Sequence, residues 1–544
     1  MYRPIRWLFG RVRNILPAIV SLTAIAIALS YISVEFAMAS RVLLDCATGV
    51  SDVSFSGAVI RLVVLLALDL ALQSIYSIFS LRMGTRFKNR MQRDAFSKVM
   101  TRDMESLGSF HSGEVINRLT GDIGIVSTNV IDVVPTVAML VSGVAMSFVA
   151  LLRLDMSLAL MCIALGPVVI AGSVVYGRCA KRLHGEVRQS DGKILSFMQE
   201  CIQNLLVIKA FRTENKASDH ASELQEKNYK INMKVGYVSL FVNIIYFVAM
   251  TAAYYVAVIW CARKIHLGIM TVGTFTAIIQ LVGAVQSPFR EISGTVSKFF
   301  ATLASAERIM DMENLPEDIK DDGKIKDFSS IEIKDMSFSY GDGEIFAGAN
   351  LSIQKGDIVV IRGVSGQGKS TLFRLLLGIH KPNSGEISVC DGTKSIPLTA
   401  SARELFAYVP QGNMIISGSI ARNIAFFDEN PDHDRLVRAS ECACIRELID
   451  SLPKGFDTVI GENGMGLSEG QVQRLAVARA IYLDAPIILL DEATSALDDE
   501  TETKILSNIK SLKDKTCLII THKDAAFKIS TKNVQINDGN LVNL

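Results

Sequence analysis

The sequence predicts two folds in tandem, an all-α transmembrane domain of six spans followed by an α/β P-loop domain, and three observations point there. First, of 544 residues 49% are hydrophobic and only 20% charged, with a mean hydropathy of +0.33, too apolar for an ordinary soluble chain of this length. Second, the long apolar runs are confined to residues 1–312, and the rest has normal globular composition. Third, a short β-branched run beyond them opens directly into a glycine-rich loop. Residues 313–328 (ENLPEDIKDDGKIKDF) are polar, charged and carry a proline, which marks a linker. The expected domains are therefore 1–312, with the spans and two long helical loops, and 329–544.

Crossing roughly 30 Å of hydrocarbon takes about 20 helical residues. Apolar segments of that length lie at 16–38, 57–80, 131–152, 156–176, 237–261 and 269–288. Thr, Gly and Gln interrupt the sixth, as expected of a helix beside a partly wet cavity. Lys and Arg crowd two inter-span segments, Arg82 to Arg118 and Arg178 to Lys234, whereas the opposite connections are short. The basic segments are therefore cytoplasmic, and both chain ends lie inside a cell (inner) membrane. Connections of roughly 50 residues need structure of their own, and these read as helices carrying spans two to five beyond the membrane surface. Ahead of the first span, Arg3, Arg6, Arg11 and Arg13 interleave with Trp7, Leu8 and Phe9. An interfacial helix and a plain basic flank explain that pattern equally well.

Asp69 falls midway along the second span, where a carboxylate costs about 2.5–3.5 kcal/mol on insertion scales. Gln73 and Tyr76 share its helical face. A cavity-lining stripe and an interhelical hydrogen bond are both consistent with this. Gln280 and Gln286 in the sixth span are weaker candidates of the same kind. The nine cysteines show no metal-ligand spacing, and Cys442 and Cys444, two apart, read as helix packing.

In the second half, Ile358–Ile361 is a buried-strand pattern, followed at once by Gly363-Val364-Ser365-Gly366-Gln367-Gly368-Lys369-Ser370-Thr371 and a helical run. This is the G-x-x-x-x-G-K-[ST] loop in the strand–loop–helix context it requires. Glycines let backbone N–H groups close on phosphates, and the helix N-terminus favours negative charge. Lys369 is expected on the β- and γ-phosphates and Ser370 on Mg²⁺. Ile487–Leu490 is a second buried strand, ending in Asp491 and Glu492. Asp491 fits the Mg²⁺-linked acid of P-loop NTPases, and Glu492 a general base for water.

These residues resemble the nucleotide-binding cassette of the ABC transporter family, and the whole chain resembles a half-size exporter of that family. Leu467-Ser468-Glu469-Gly470-Gln471 is similar to its LSGGQ signature. Tyr340 matches the aromatic that stacks on adenine, Gln411 the Q-loop glutamine, Ser495–Asp498 the D-loop and His522 the switch histidine. Gly461–Gly464 resembles the family's stretch that contacts the membrane domain, while Phe110–Asp122 and Ile208–Phe211 with Glu214 resemble the first and second cytoplasmic loops of its exporters, which implies coupling helices near 107–112 and 205–211. The resemblance implies an antiparallel β subdomain in the cassette, ATP and Mg²⁺ as ligands, and Gln411 sensing the metal and water. One departure stands out: Glu469 replaces a glycine. Ser468 followed by Gln471 forms a capping-box pattern, and an acid suits a first helical turn, so Glu469 is expected to point away from ATP.

In this family ATP is held between the P-loop of one cassette and the signature (Ser468, Gly470, Gln471) of a facing one. A chain with one P-loop, one signature and six spans therefore implies a dimer. Glu492 and His522 are both present, which favours an identical partner over a related second subunit. The expected function is ATP-driven export or flipping of an unidentified substrate across the bilayer, with no nucleic-acid partner. The alternative is a nucleotide-gated channel or regulatory membrane ATPase without net pumping.

Overall fold

The computed structural model describes every residue except 1, 109, 111, 319–327, 342, 365, 393–394, 413–414, 462–465 and 513, and the backbone alone for 2, 162–182, 184, 289–290 and 292–293. The chain forms two compact units. One is Met1–Met100 with His111–Asn314, the other Thr101–Phe110 with Leu315–Leu544. This differs from a division by sequence order, because a short stretch from the first long loop belongs with the cassette. Glu313, expected to open the linker, instead ends the last helix of the first unit and is 4% exposed.

The first unit is helical: α1 (Tyr2–Val12), α2 (Leu16–Ala47) and α3 (Phe55–Met100) are followed, after α4 (Met104–Gly108) of the other unit, by α5 (Ser112–Asn117), α6 (Ile123–Leu154), α7 (Met156–Gln203), α8 (Leu205–Ala210), α9 (Glu214–His266) and α10 (Val272–Glu313). Among the described residues, four stretches are long and apolar enough to cross a membrane: Arg3–Ala47, Phe55–Met100, Ser112–Leu154 and Glu214–His266. The fourth predicted span lies in α7, mostly among residues whose side chains are not described. The sixth starts later than expected, since Thr271 caps α10 by accepting from the Thr274 N–H. At 1.5 Å per residue, the 46 residues of α3 reach about 69 Å, roughly twice the hydrocarbon thickness.

Polar side chains fix this unit at both ends. Asp155 caps α7 through the N–H groups of Ser157 and Leu158, and also accepts from Trp260 Nε1 at 3.3 Å and from Lys264 Nζ on α9. That doubled role explains how Asp155 alone suffices for the turn between α6 and α7. At the other end α1 forms a helix that packs on α10. Trp7 Nε1 donates to Glu313 Oε2 at 3.1 Å, and Arg11 and Lys98 bring positive charge to the same carboxylate. Three donors offset the cost of burying it.

The second unit is built on β1 (Ser330–Tyr340), β2 (Gly343–Gln354), β3 (Ile358–Arg362), α11 (Lys369–Leu376), β4 (Ser384–Cys390), β5 (Ser395–Pro397), β6 (Phe406–Val409), β7 (Gly418–Ser419), α12 (Ile420–Ala425), α13 (His433–Cys442), α14 (Arg446–Ser451), β8 (Val459–Ile460), α15 (Glu469–Leu483), β9 (Ile487–Asp491), α16 (Asp499–Ser511), β10 (Thr516–Ile520), β11 (Lys532–Asn537) and β12 (Asn540–Asn543). The main sheet has the order β12-β11-β3-β10-β9-β6, with β11, β3, β10, β9 and β6 parallel. Strands β9 and β10 are buried throughout, the signature of a parallel sheet covered on both faces. Alternation along the strands divides the core. Ile358, Val360, Ile488 and Leu490 face α12, α13, α15 and α16, whereas Val359, Ile361, Leu489 and Leu518 face α11 and the second sheet. That second sheet, β2-β1-β4-β5, is the expected antiparallel subdomain.

Candidate active site

Four adjacent parallel strands deliver the polar residues at one edge of the sheet. The P-loop follows β3, His522 lies just beyond β10, Asp491 ends β9 with Glu492 next, and Gln411 follows β6. The carboxyl edge of a parallel sheet is where α/β folds gather such groups.

The P-loop geometry depends on its glycines. Gly366 and Gly368 have φ of +87° and +89°, and a Cβ on Gly368 would come 2.3 Å from Ile345 Cγ2, so no other residue fits there. Gln367 Oε1 accepts from the Val364 N–H at 2.8 Å, bracing the loop across itself. Lys369 Nζ donates to the Gly363 carbonyl at 2.8 Å and lies 3.3 Å from both the Val364 carbonyl and His522 Nε2. Thr371 is buried in the first turn of α11. Ser365 lies outside the described residues.

Glu492 is the centre of the site. Its φ is +50°, a left-handed conformation that costs a non-glycine residue about 1–2 kcal/mol. The strain is held by the Glu492 N–H, which donates to the Ile520 carbonyl at 3.0 Å. It turns the side chain toward both neighbours: Oε2 accepts from Gln411 Nε2 at 2.6 Å, and Oε1 lies 3.6 Å from His522 Nε2.

Asp491 is 1% exposed, and burial lifts its carboxyl above the usual carboxylate range, against the opposing hydroxyls of Ser370 and Tyr408. Tyr408 donates to Oδ2 at 3.3 Å, and burial together with the Asp491 charge pushes its own hydroxyl upward, keeping it a donor. Oδ1 is buried and has no hydrogen-bond partner among the described residues. A buried, unsatisfied carboxylate oxygen near the P-loop serine is the donor set a hard cation takes, so the residues fit Mg²⁺.

The signature forms the start of α15. Ser468 accepts from the Gln471 N–H at 3.3 Å while its own N–H donates to Gln471 Oε1 at 2.9 Å, the full capping box. Glu469 is exposed in the first turn. Gly470 packs on the D-loop, where a Cβ would lie 3.1 Å from the Ala496 carbonyl. Among the described residues, no hydrogen bond or ion pair joins Ser468, Gly470 or Gln471 to the P-loop of the same chain. Residues 462–464 of the Gly461–Gly464 segment lie outside the described residues.

Tyr340 is 42% exposed, leaving a ring face free for stacking, and its hydroxyl sits 2.9 Å from His380 Nε2. On the other side, His380 Nδ1 is 3.3 Å from Glu105 Oε2 of α4. Sequence reading missed His380, and also Gln473 of α15. Gln473 donates to Ser495 Oγ at 2.9 Å and accepts from the Ala496 N–H at 3.0 Å, binding the signature helix to the D-loop. Lys523 was missed too; its ammonium donates to the Thr494 and Leu497 carbonyls and pairs with the fully buried Glu502. None of these three has a spacing that marks it.

In the first unit Asp69, Gln73 and Tyr76 line one cavity together with Gln280, and Gln73 Nε2 donates to Asp69 Oδ2 at 2.8 Å. Gln286 instead donates to the Met250 carbonyl between helices at 3.4 Å. Among the described residues, no group of His, Cys, Asp and Glu has metal-binding geometry. Burial pushes the Cys442 thiol up to about 11, which suits packing.

Two family models match the chain. One describes the ABC transporter transmembrane region and covers residues 18–289; the other, described as ABC transporter, covers residues 346–495. Similar proteins include ABC transporter B family member 1 of Dictyostelium discoideum, 29% identical over 84% of this chain and 51% of its own length. The chain thus spans about half of that relative. An ATP-dependent lipid A-core flippase of Desulfotalea psychrophila is 29% identical over 86% of this chain and 82% of its own. Among solved structures, a bacterial Atm1-family ABC exporter with ATP bound shares the fold, with a TM-score of 0.82 over 97% of this chain and 95% of that one, at 20% identity.

Proposed function

The chain belongs to the ABC transporter family, and from that premise we propose that two copies, facing each other, hydrolyse ATP between them to drive export or flipping of a substrate across the membrane. Tyr340 stacks on adenine. The P-loop from Gly363 to Thr371 holds the phosphates, and Ser468, Gly470 and Gln471 of the second copy close over the γ-phosphate. Asp491, Ser370 and Gln411 would hold Mg²⁺, which would screen the charge on the phosphate oxygens. Glu492 orients and deprotonates the attacking water, and His522 holds the γ-phosphate. Positioned charge, more than covalent chemistry, lowers the barrier.

The observation that carries this reading is the convergence on Glu492. Gln411 and His522 approach its two carboxylate oxygens, and His522 also lies beside Lys369. A base, a sensor and a phosphate ligand thus meet at one strand edge. The signature packs on the D-loop through Gly470 and among the described residues makes no hydrogen bond to its own P-loop, which supports a site completed by a partner. That partner is an identical chain, and the cassettes and both termini lie on the cytoplasmic side of the cell membrane.

Glu492→Gln keeps the shape of the side chain and removes the base. It should bind ATP normally and lose turnover by about 10²–10⁴-fold, the usual contribution of a general base. Turnover at the wild-type rate would overturn the assignment. ATP-dependent accumulation in inside-out vesicles separates pumping from a gated channel.

A further inference from the structure

The cavity holding Asp69 has a volume of about 1050 Å³ and is enclosed by α2, α3, α6 and α10 of the first unit. It is large enough for a drug-sized organic molecule. Four of its described lining residues carry charge: Asp69, Asp132, Glu291 and Lys298. Lys298 is bonded to Asp132 across the cavity wall, and Thr136 Oγ1 donates to the other Asp132 oxygen at 3.3 Å. The remaining two carboxylates have no cationic partner among the described residues. Asp69 accepts from the uncharged Gln73 amide, and Glu291 pairs with no cation among the described residues. The described wall therefore carries two formal negative charges more than positive ones.

A second observation points to a ligand. Ser147 lines the same cavity, is 1% exposed, and its hydroxyl has no hydrogen-bond partner among the described residues. Buried hydroxyls are seldom left so. Phe36 and Tyr76 add aromatic faces to the wall, which attract cations through their quadrupoles.

We propose that this cavity is selective for hydrophobic organic cations over anions of the same size and shape. The inference rests on reading the first unit as the transport path of an exporter. Two uncancelled carboxylates in a low-dielectric wall attract a weakly hydrated cation and repel its anionic counterpart. The apolar and aromatic lining holds either equally, so charge alone decides between them.

Tetraphenylphosphonium and tetraphenylborate differ in charge and little else. Their equilibrium binding to the full-length protein in nanodiscs, above that of protein-free nanodiscs and without nucleotide, tests the inference. The phosphonium should bind at least about tenfold tighter, and the double variant Asp69→Asn with Glu291→Gln should reduce that preference to near parity. Equal binding, a preference for the borate, no binding of either ion, or a double variant that keeps the wild-type preference would each overturn the inference. The wild-type comparison decides the matter even if the double variant does not fold. Turnover dependent on Glu492 is measured on the same preparation and reads the cassette alone. A lost ion preference with that turnover intact refutes charge selection only, whereas absent turnover strikes at the proposed function.

Discussion

At the scale of single residues, the strain at Glu492 is the feature with the clearest consequence. Because its φ is +50°, a Cβ at this position is a liability that the fold tolerates for the sake of where the carboxylate points. Comparing two inactive variants isolates the effect. Glu492→Gly should be more stable than Glu492→Ala by about 1 kcal/mol, read as a higher midpoint for the cassette in thermal unfolding, and equal midpoints would show the backbone to be relaxed. No sequence pattern reveals this conformation. What the sequence offers at this position is the expectation of a base, because an acid after four apolar residues and Asp491 fits the motif. Tyr408 and His380 were illegible for the opposite reason. Each acts through side-chain contacts made by folding, Tyr408 on Asp491 and His380 on Tyr340 and Glu105, and neither leaves a trace in spacing.

At the scale of elements, α15 combines two jobs in one residue. Ser468 caps the helix and, in the proposed mechanism, also meets the γ-phosphate of the other copy. The two roles are separable by substitution. Ser468→Ala removes the cap and should destabilise the cassette by about 1 kcal/mol. Ser468→Asp keeps a good cap, so the unfolding midpoint should hold while turnover falls, because a carboxylate then faces the nucleotide. Full ATPase activity in Ser468→Asp would place the signature away from the phosphates. The capping box itself was readable from Ser468 and Gln471, since both bonds are local. The tie from Gln473 to the D-loop was not, because it joins residues 22 and 23 apart that only tertiary packing brings together. Helix lengths fall between these cases. The spans were visible in hydropathy, while the start of α10 moved to Val272 because Thr271 supplies a cap.

At the scale of the whole molecule, the chain divides into two compact units, with one feature that hydropathy cannot encode. Thr101–Phe110 is polar loop by composition, yet it is part of the cassette unit, held by hydrogen bonds such as Arg102 to the Leu315 carbonyl at 2.8 Å and the Asp103 N–H to the Pro316 carbonyl at 2.9 Å. Such bonds use backbone groups, which every residue possesses, so residue identity does not announce them. The same unit carries a P-loop and a signature that, among the described residues, do not bond to each other, and the central claim is that ATP joins them across two chains. Intermolecular crosslinking tests this most directly. One chain carrying Val364→Cys, at a side chain 69% exposed on the P-loop, is mixed with another carrying Ser468→Cys, both in a background lacking the native cysteines and bearing Glu492→Gln. The account predicts a dimer-sized product that forms with ATP and Mg²⁺ and is weak without them; no such product, together with ATP held tightly by a strict monomer, would contradict it.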